Sequence, residues 1–217
     1  MKYILFIAFI LSVVSCAKHD GYTLTGLVPE AWEGKPVFLV LDDTNQPHFI
    51  DSTKISGGKF KFQGKFEVPR YCTINIYLDP NDRQTRSKII NFSLFIDSTA
   101  VEATCNYSGK HPVFQISGSG TQTEYQNYLS EIQPMEDDRS KTFHAYGEAY
   151  YSTKDLAKAI DLAKLVTEKR LAIREAKMKY LKAHPESAIS VKIAQELSDR
   201  NSDLSLKEIE GLFTSLS

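Results

Sequence analysis

The sequence predicts an α+β protein: an antiparallel β-sandwich or open barrel, followed by a helical region of about four helices. Three observations carry this. Between Tyr22 and Gly118 apolar residues alternate with polar ones in short runs, the period of a half-buried strand. Turn chemistry recurs between those runs. Beyond Gly118-Ser119-Gly120 the apolar spacing changes to three and four residues, the period of a helix.

The clearest strands are those in which one face is apolar throughout. Phe60 and Phe62 alternate with Lys59, Lys61 and Gln63. Ile74, Ile76 and Leu78 alternate with Thr73, Asn75 and Tyr77. Ile90, Phe92, Leu94 and Ile96 alternate with Asn91, Ser93 and Phe95, and Val101 and Ala103 with Glu102 and Thr104. Further strands are predicted at Tyr22–Val28, Lys35–Leu41, His48–Ile55 and Val113–Ser117. Ser56-Gly57-Gly58, Asp79-Pro80-Asn81-Asp82 and Gly109-Lys110-His111-Pro112 supply turns. About eight short strands with frequent turns fit a sandwich or barrel over 22–118.

The helical region covers 119–217. Thr121 and Glu124 have capping-box spacing, and Tyr125, Tyr128, Leu129 and Ile132 share one side before Pro134, which is predicted to end the helix. Glu136-Asp137-Asp138-Arg139 then reads as a solvated loop. A long helix is predicted from near Thr153 to Ala183, with Ser152 and Asp155 spaced to cap it. Its stripe is Leu156, Ile160, Ala163, Val166, Ile173 and Tyr180, with a polar gap at Thr167–Arg170. His184-Pro185 stops it, because a residue before proline avoids the helical region. Shorter helices follow at Ser187–Asp199 and Ser205–Leu216, the second with a capping box at Ser205 and Glu208. The apolar stripes are expected to cover one another or the edge of the sandwich.

The N-terminus has the order of a secretory signal. Lys2 precedes an apolar run from Ile4 to Val14, and Ser15 follows. At about 1.5 Å per residue the run is too short to cross a hydrocarbon core of about 30 Å. Val13-Val14-Ser15-Cys16 resembles a lipobox, in which the cysteine thiol is alkylated by diacylglycerol and becomes the new N-terminus. Residues 1–15 are therefore expected to be removed, and residues 16–21 to form a lipidated cysteine and tether. Several acyl chains anchor stably where one does not. The expected location is the cell envelope, on its periplasmic or outer-surface side.

Few kinds of chemistry are legible. The net charge of −1 gives no reason to expect a nucleic-acid partner. There is no C-x-x-C, no G-x-S-x-G elbow and no P-loop, and His19, His48, His111, His144 and His184 never share metal-ligand spacing. No catalytic residue, metal or cofactor is expected. Parity points Cys72 and Cys105 into the core, where they form either an inter-sheet disulfide or two buried thiols. Asp51-Ser52-Thr53 and Asp97-Ser98-Thr99 resemble the triplet that some bacteria O-glycosylate, making Ser52 and Ser98 candidate acceptors; strand-end turns account for the same residues.

A family resemblance rests on Tyr22-Thr23-Leu24-Thr25-Gly26, on Gly34-Lys35-Pro36-Val37-Phe38-Leu39, and on the run from Asp51-Ser52-Thr53 through Gly57-Gly58-Lys59-Phe60-Lys61-Phe62-Gln63-Gly64. These resemble a β-rich domain of unknown function found at the N-terminus of lipid-anchored thioredoxin-like proteins of the AhpC/TSA and TlpA/ResA type. There a lipobox, the β-domain, a helical region and a W-C-x-x-C-bearing thioredoxin fold follow in order. His184-Pro185-Glu186-Ser187 and Leu204 to Glu210 resemble the segment before the redox domain. The chain departs from the pattern in stopping at Ser217, so no catalytic cysteine pair carries over and no enzyme activity is expected of it; a full-length relative would be a thiol–disulfide oxidoreductase. The resemblance implies an accessory module that spaces, orients or dimerises a redox domain, or docks its client. Its expected partners are the membrane, a thioredoxin-like domain or protein, and a second copy of the chain. The alternative is a binding lipoprotein for a peptide, glycan or other ligand. That alternative rests on Tyr77 and Phe95 on the polar faces of their strands.

Overall fold

A computed structural model describes residues 21–42, 48–79, 88–107, 111–199 and 204–216. Strands β1 (Tyr22–Leu27), β2 (Pro36–Leu41), β3 (His48–Lys54), β4 (Lys59–Gly64), β5 (Arg70–Tyr77), β6 (Ile89–Ile96), β7 (Ala100–Tyr107) and β8 (Pro112–Ser117) form two four-stranded sheets. One sheet has the order β4-β1-β7-β8 and the other β3-β2-β5-β6, so the sandwich is the form adopted. The pairing is antiparallel except between β1 and β7, which run parallel. A parallel pair requires a long crossover, here most of the sandwich, and nothing local in either strand encodes it.

The alternation is a packing instruction. Leu24, Phe60, Phe62, Val101 and Ala103 from one sheet meet Val37, Leu39, Cys72, Ile74, Ile76, Leu94 and Ile96 from the other. Trp32, in a single 3₁₀ turn at Glu30–Trp32, is buried in the same core and packs on Tyr107. Gly26 is needed where it stands, since a β-carbon there would lie 2.0 Å from the buried Phe60 ring.

Four helices follow: α1 (Gly120–Gly147), α2 (Leu156–Ala183), α3 (Ala188–Leu197) and α4 (Leu206–Thr214), with a π-helical turn at Glu148–Ser152 between α1 and α2. Several expectations are corrected here. Ser119, not Thr121, caps α1, accepting from the Gln122 amide at 3.0 Å. Glu124 is thereby released to accept from the Tyr180 hydroxyl at 2.7 Å and the Ser187 hydroxyl at 2.8 Å, tying α1 to the end of α2 and the start of α3. Pro134 does not end α1; it lies inside the helix on the exposed side. There the unpaired carbonyl one turn back faces water, and the packing of α1 on α2 carries the helix onward.

Residues 136–139 belong to α1 rather than to a loop. Glu136 faces Lys177 at 3.6 Å, and Asp138 pairs with Lys169. The polar gap in the α2 stripe is thus the counterpart of the acidic stretch of α1. Lys177 also reaches Glu196 of α3 at 3.0 Å. Asp155 caps α2 and Ser187 caps α3, and Ser205 and Glu208 form the capping box expected for α4.

Large apolar residues of the helices are buried mainly near the sandwich, where Tyr125, Tyr128, Ile132, Ile173, Leu181, Ile189 and Ile193 make one core. Toward the far turn of the α1–α2 hairpin, Phe143, Tyr151, Leu156 and Ile160 are all more than half exposed. There the helices cover one another only through the small residues Ala149 and Ala159, and the large stripe residues Leu156 and Ile160 stay exposed, because no third element of the described chain reaches that end.

Among the buried groups, the Tyr128 hydroxyl has no hydrogen-bond partner among the described residues. A buried hydroxyl without a partner costs about 1–3 kcal/mol. Tyr128→Phe is therefore expected to stabilise the fold by about 1 kcal/mol, read as a higher urea midpoint with an unchanged slope. A lower midpoint would show that the hydroxyl is engaged.

Candidate functional site

Cys16 lies outside the described residues. Cys72 and Cys105 stand as two thiols rather than a disulfide. Both meet the sandwich core as parity requires, Cys72 fully buried in β5 and Cys105 half-buried in β7 opposite Phe114. Burial pushes the Cys105 thiol above its ordinary range, which lowers its reactivity. Ser52 is exposed within β3, an edge strand, and not at a strand end. Ser98 is exposed in the turn between β6 and β7, its hydroxyl donating to the Phe66 carbonyl at 3.3 Å. Among the described residues no three of His, Cys, Asp and Glu converge as metal ligands, and no helix is long and apolar enough to cross a membrane.

The junction between sandwich and helices is built from residues of both. Phe95 points outward from β6, and α1 buries it: its ring is 5.1 Å from both Tyr71 and Tyr125. The β6 edge is closed there too, since the Phe95 amide donates to Gln122 Oε1 at 2.7 Å. Asp97, two residues on, organises the start of α1. It accepts from the Ser119 hydroxyl at 2.7 Å, from the Thr121 amide at 3.4 Å and from the Thr99 hydroxyl. Lys192 of α3 sits 4.5 Å above the Tyr71 ring. Between these parts runs an open cleft of about 580 Å³, lined among others by Arg70, Tyr71, Glu124, Ser187, Lys192 and Gln195. The sequence signalled the outward direction of Phe95, but not its cover.

Burial raises the Asp97 pKa, and the hydrogen bonds from Thr99, Ser119 and Thr121 outweigh that, leaving it below the ordinary 3.8. A carboxyl depressed on folding stabilises the fold above its unfolded value, and that stabilisation fades as pH falls through the folded one. Asp97→Asn is expected to cost about 1–2 kcal/mol at pH 7. The gap to wild type should narrow as pH drops below about 3.8. Urea titrations at pH 7 and pH 3 check this, and a gap independent of pH would contradict it.

No helix among the described residues packs on the rest of that outer sheet face, where Phe49 is exposed and Val40 is buried between its neighbours. Tyr77 is not under the helices; its ring meets Phe38 at 5.2 Å, and Phe38 meets Phe49 at 5.8 Å. The patch expected from Tyr77 and Phe95 is thus split, Phe95 being lost to the junction and Tyr77 joined by two aromatics of β2 and β3.

These features define a chain whose described residues form a two-sheet sandwich packed against a helical hairpin. Residues 22–125, the sandwich and the first turns of α1, match the family described as a domain of unknown function (DUF4369). A comparison with curated proteins finds no match.

Proposed function

We propose that this chain is a non-catalytic scaffold module of a cell-envelope thiol–disulfide system, lipid-anchored through Cys16, that positions a thioredoxin-like redox domain or its client. The observation that carries the reading is the junction. Phe95, Tyr71 and Tyr125 interlock at 5.1–5.6 Å, and Gln122 and Asp97 bond across the same seam. A packed, hydrogen-bonded seam holds two parts in one orientation, which is what a spacer must do. The 28 residues of α1 give an arm of about 42 Å. The match of residues 22–125 to a domain of unknown function supports the β-rich domain of the family resemblance, and the thioredoxin-like partner is part of the proposal. Ser52 and Ser98, both exposed, remain candidate O-glycan acceptors within this reading.

Insulin reduction by dithiothreitol tests the absence of redox chemistry. The chain from Cys16 onward is expected to leave the rate at that of the blank. Acceleration above the blank would overturn the non-catalytic reading.

A further inference from the structure

We propose that the outer face of the β3-β2-β5-β6 sheet beyond the junction, from Phe49 to Tyr77, is a binding platform for a neutral carbohydrate chain. The proposal does not depend on the thiol–disulfide reading. Register places the outward residues of this face in rows across the strands. One row is Phe49, Val40, Thr73 and Ser93; the next is Ser52, Phe38, Asn75 and Asn91; Tyr77 and Ile89 follow. Rows two residues apart are about 6.6 Å from one another, so the platform is about 13 Å long and accommodates more than one sugar ring.

The make-up of the face selects the ligand. Phe38, Phe49 and Tyr77 offer ring surface, and Phe49 is 60% exposed. Asn75 and Asn91 face each other across β5 and β6, and neither side-chain amide has a hydrogen-bond partner among the described residues. Ser52, Thr73 and Ser93 add hydroxyls, two of them bonded to each other at 2.8 Å. Among the described residues Lys54 ends β3, and Asp42, just beyond β2, accepts from the Thr73 hydroxyl at 3.5 Å. A pyranose has an apolar C–H face that stacks on an aromatic ring, and hydroxyls that pair with amides in both directions. A phosphodiester or an acidic glycan would need cations at the centre of the face, and among the described residues the outward rows carry none.

Affinity electrophoresis of the full chain through gels holding starch, xylan, mannan or mixed-linkage β-glucan, against a non-binding reference protein, tests this. Retardation in at least one neutral gel is expected. Phe49→Ala, and separately the double variant Asn75→Ala with Asn91→Ala, should each weaken it about fivefold to tenfold. Their melting temperatures should stay close to wild type, as expected for changes on an open face. No retardation in any of the four gels would overturn the proposal, as would wild-type retardation in both variants. A concentration-dependent dimer lost in Phe49→Ala, read by sedimentation velocity, would also overturn it by showing that a second copy covers the face.

Discussion

Phe95→Ala is expected to cost about 3–5 kcal/mol and to loosen the helices from the sandwich while the sandwich core stays packed. The ring is 2% exposed and touches nothing in the inter-sheet core; its neighbours are Tyr71 and Tyr125. Removing it leaves a cavity lined by two tyrosines whose hydroxyls lie 3.4 Å apart, and burial already holds the Tyr125 phenol well above its ordinary range. Hydrogen exchange should show the effect as faster exchange in α1 and α3, with β1, β5 and β7 still protected. Uniform acceleration across the sandwich would mean that the two parts share one core.

Gly118→Ala is expected to destabilise by about 3 kcal/mol or more. Gly118 has φ +96°, and a β-carbon there would lie 2.0 Å from the Ala100 carbonyl oxygen. Neither atom can yield without moving β7 or the cap of α1, because Ser119 follows directly and is bonded to Asp97. Gly120→Ala is the matched comparison: a β-carbon there meets nothing within 4 Å, and the variant should be as stable as wild type or slightly more so. Equal losses at the two positions in urea unfolding would contradict this account of the turn.

The strands were legible because each turns one face to a common core, so burial writes a period of two into the chain. All eight sit where the alternation puts them, within three residues at the ends. What the alternation cannot carry is partnership. The parallel pairing of β1 with β7 depends on the whole path between them, and no residue in either strand marks it. The helical corrections have one physical origin: distant neighbours override local capping and helix-breaking signals. Thr121 and Glu124 have capping spacing, but Asp97 from a distant turn fixes Ser119 as the cap and Tyr180 and Ser187 claim Glu124. Pro134 is a helix breaker in isolation, and is tolerated because its side of α1 faces solvent while the opposite side packs on α2. Phe95 and Tyr77 have the same outward parity, and only the path of α1 decides that one is covered and the other open. The aromatic face was half visible for that reason: Tyr77 was legible, whereas Phe38 and Phe49 join it only through the register of β2 with β3 and β5.

The central claim, a lipid-held scaffold serving a thioredoxin-like partner, is tested most directly by mass spectrometry of the protein purified from its own membranes. The account predicts an N-terminal Cys16 bearing acyl chains, and a C-x-x-C thioredoxin fold either continuous with the same polypeptide or co-purifying with it. An unacylated N-terminus, with no such fold on the polypeptide or among the proteins that accompany it, would contradict it.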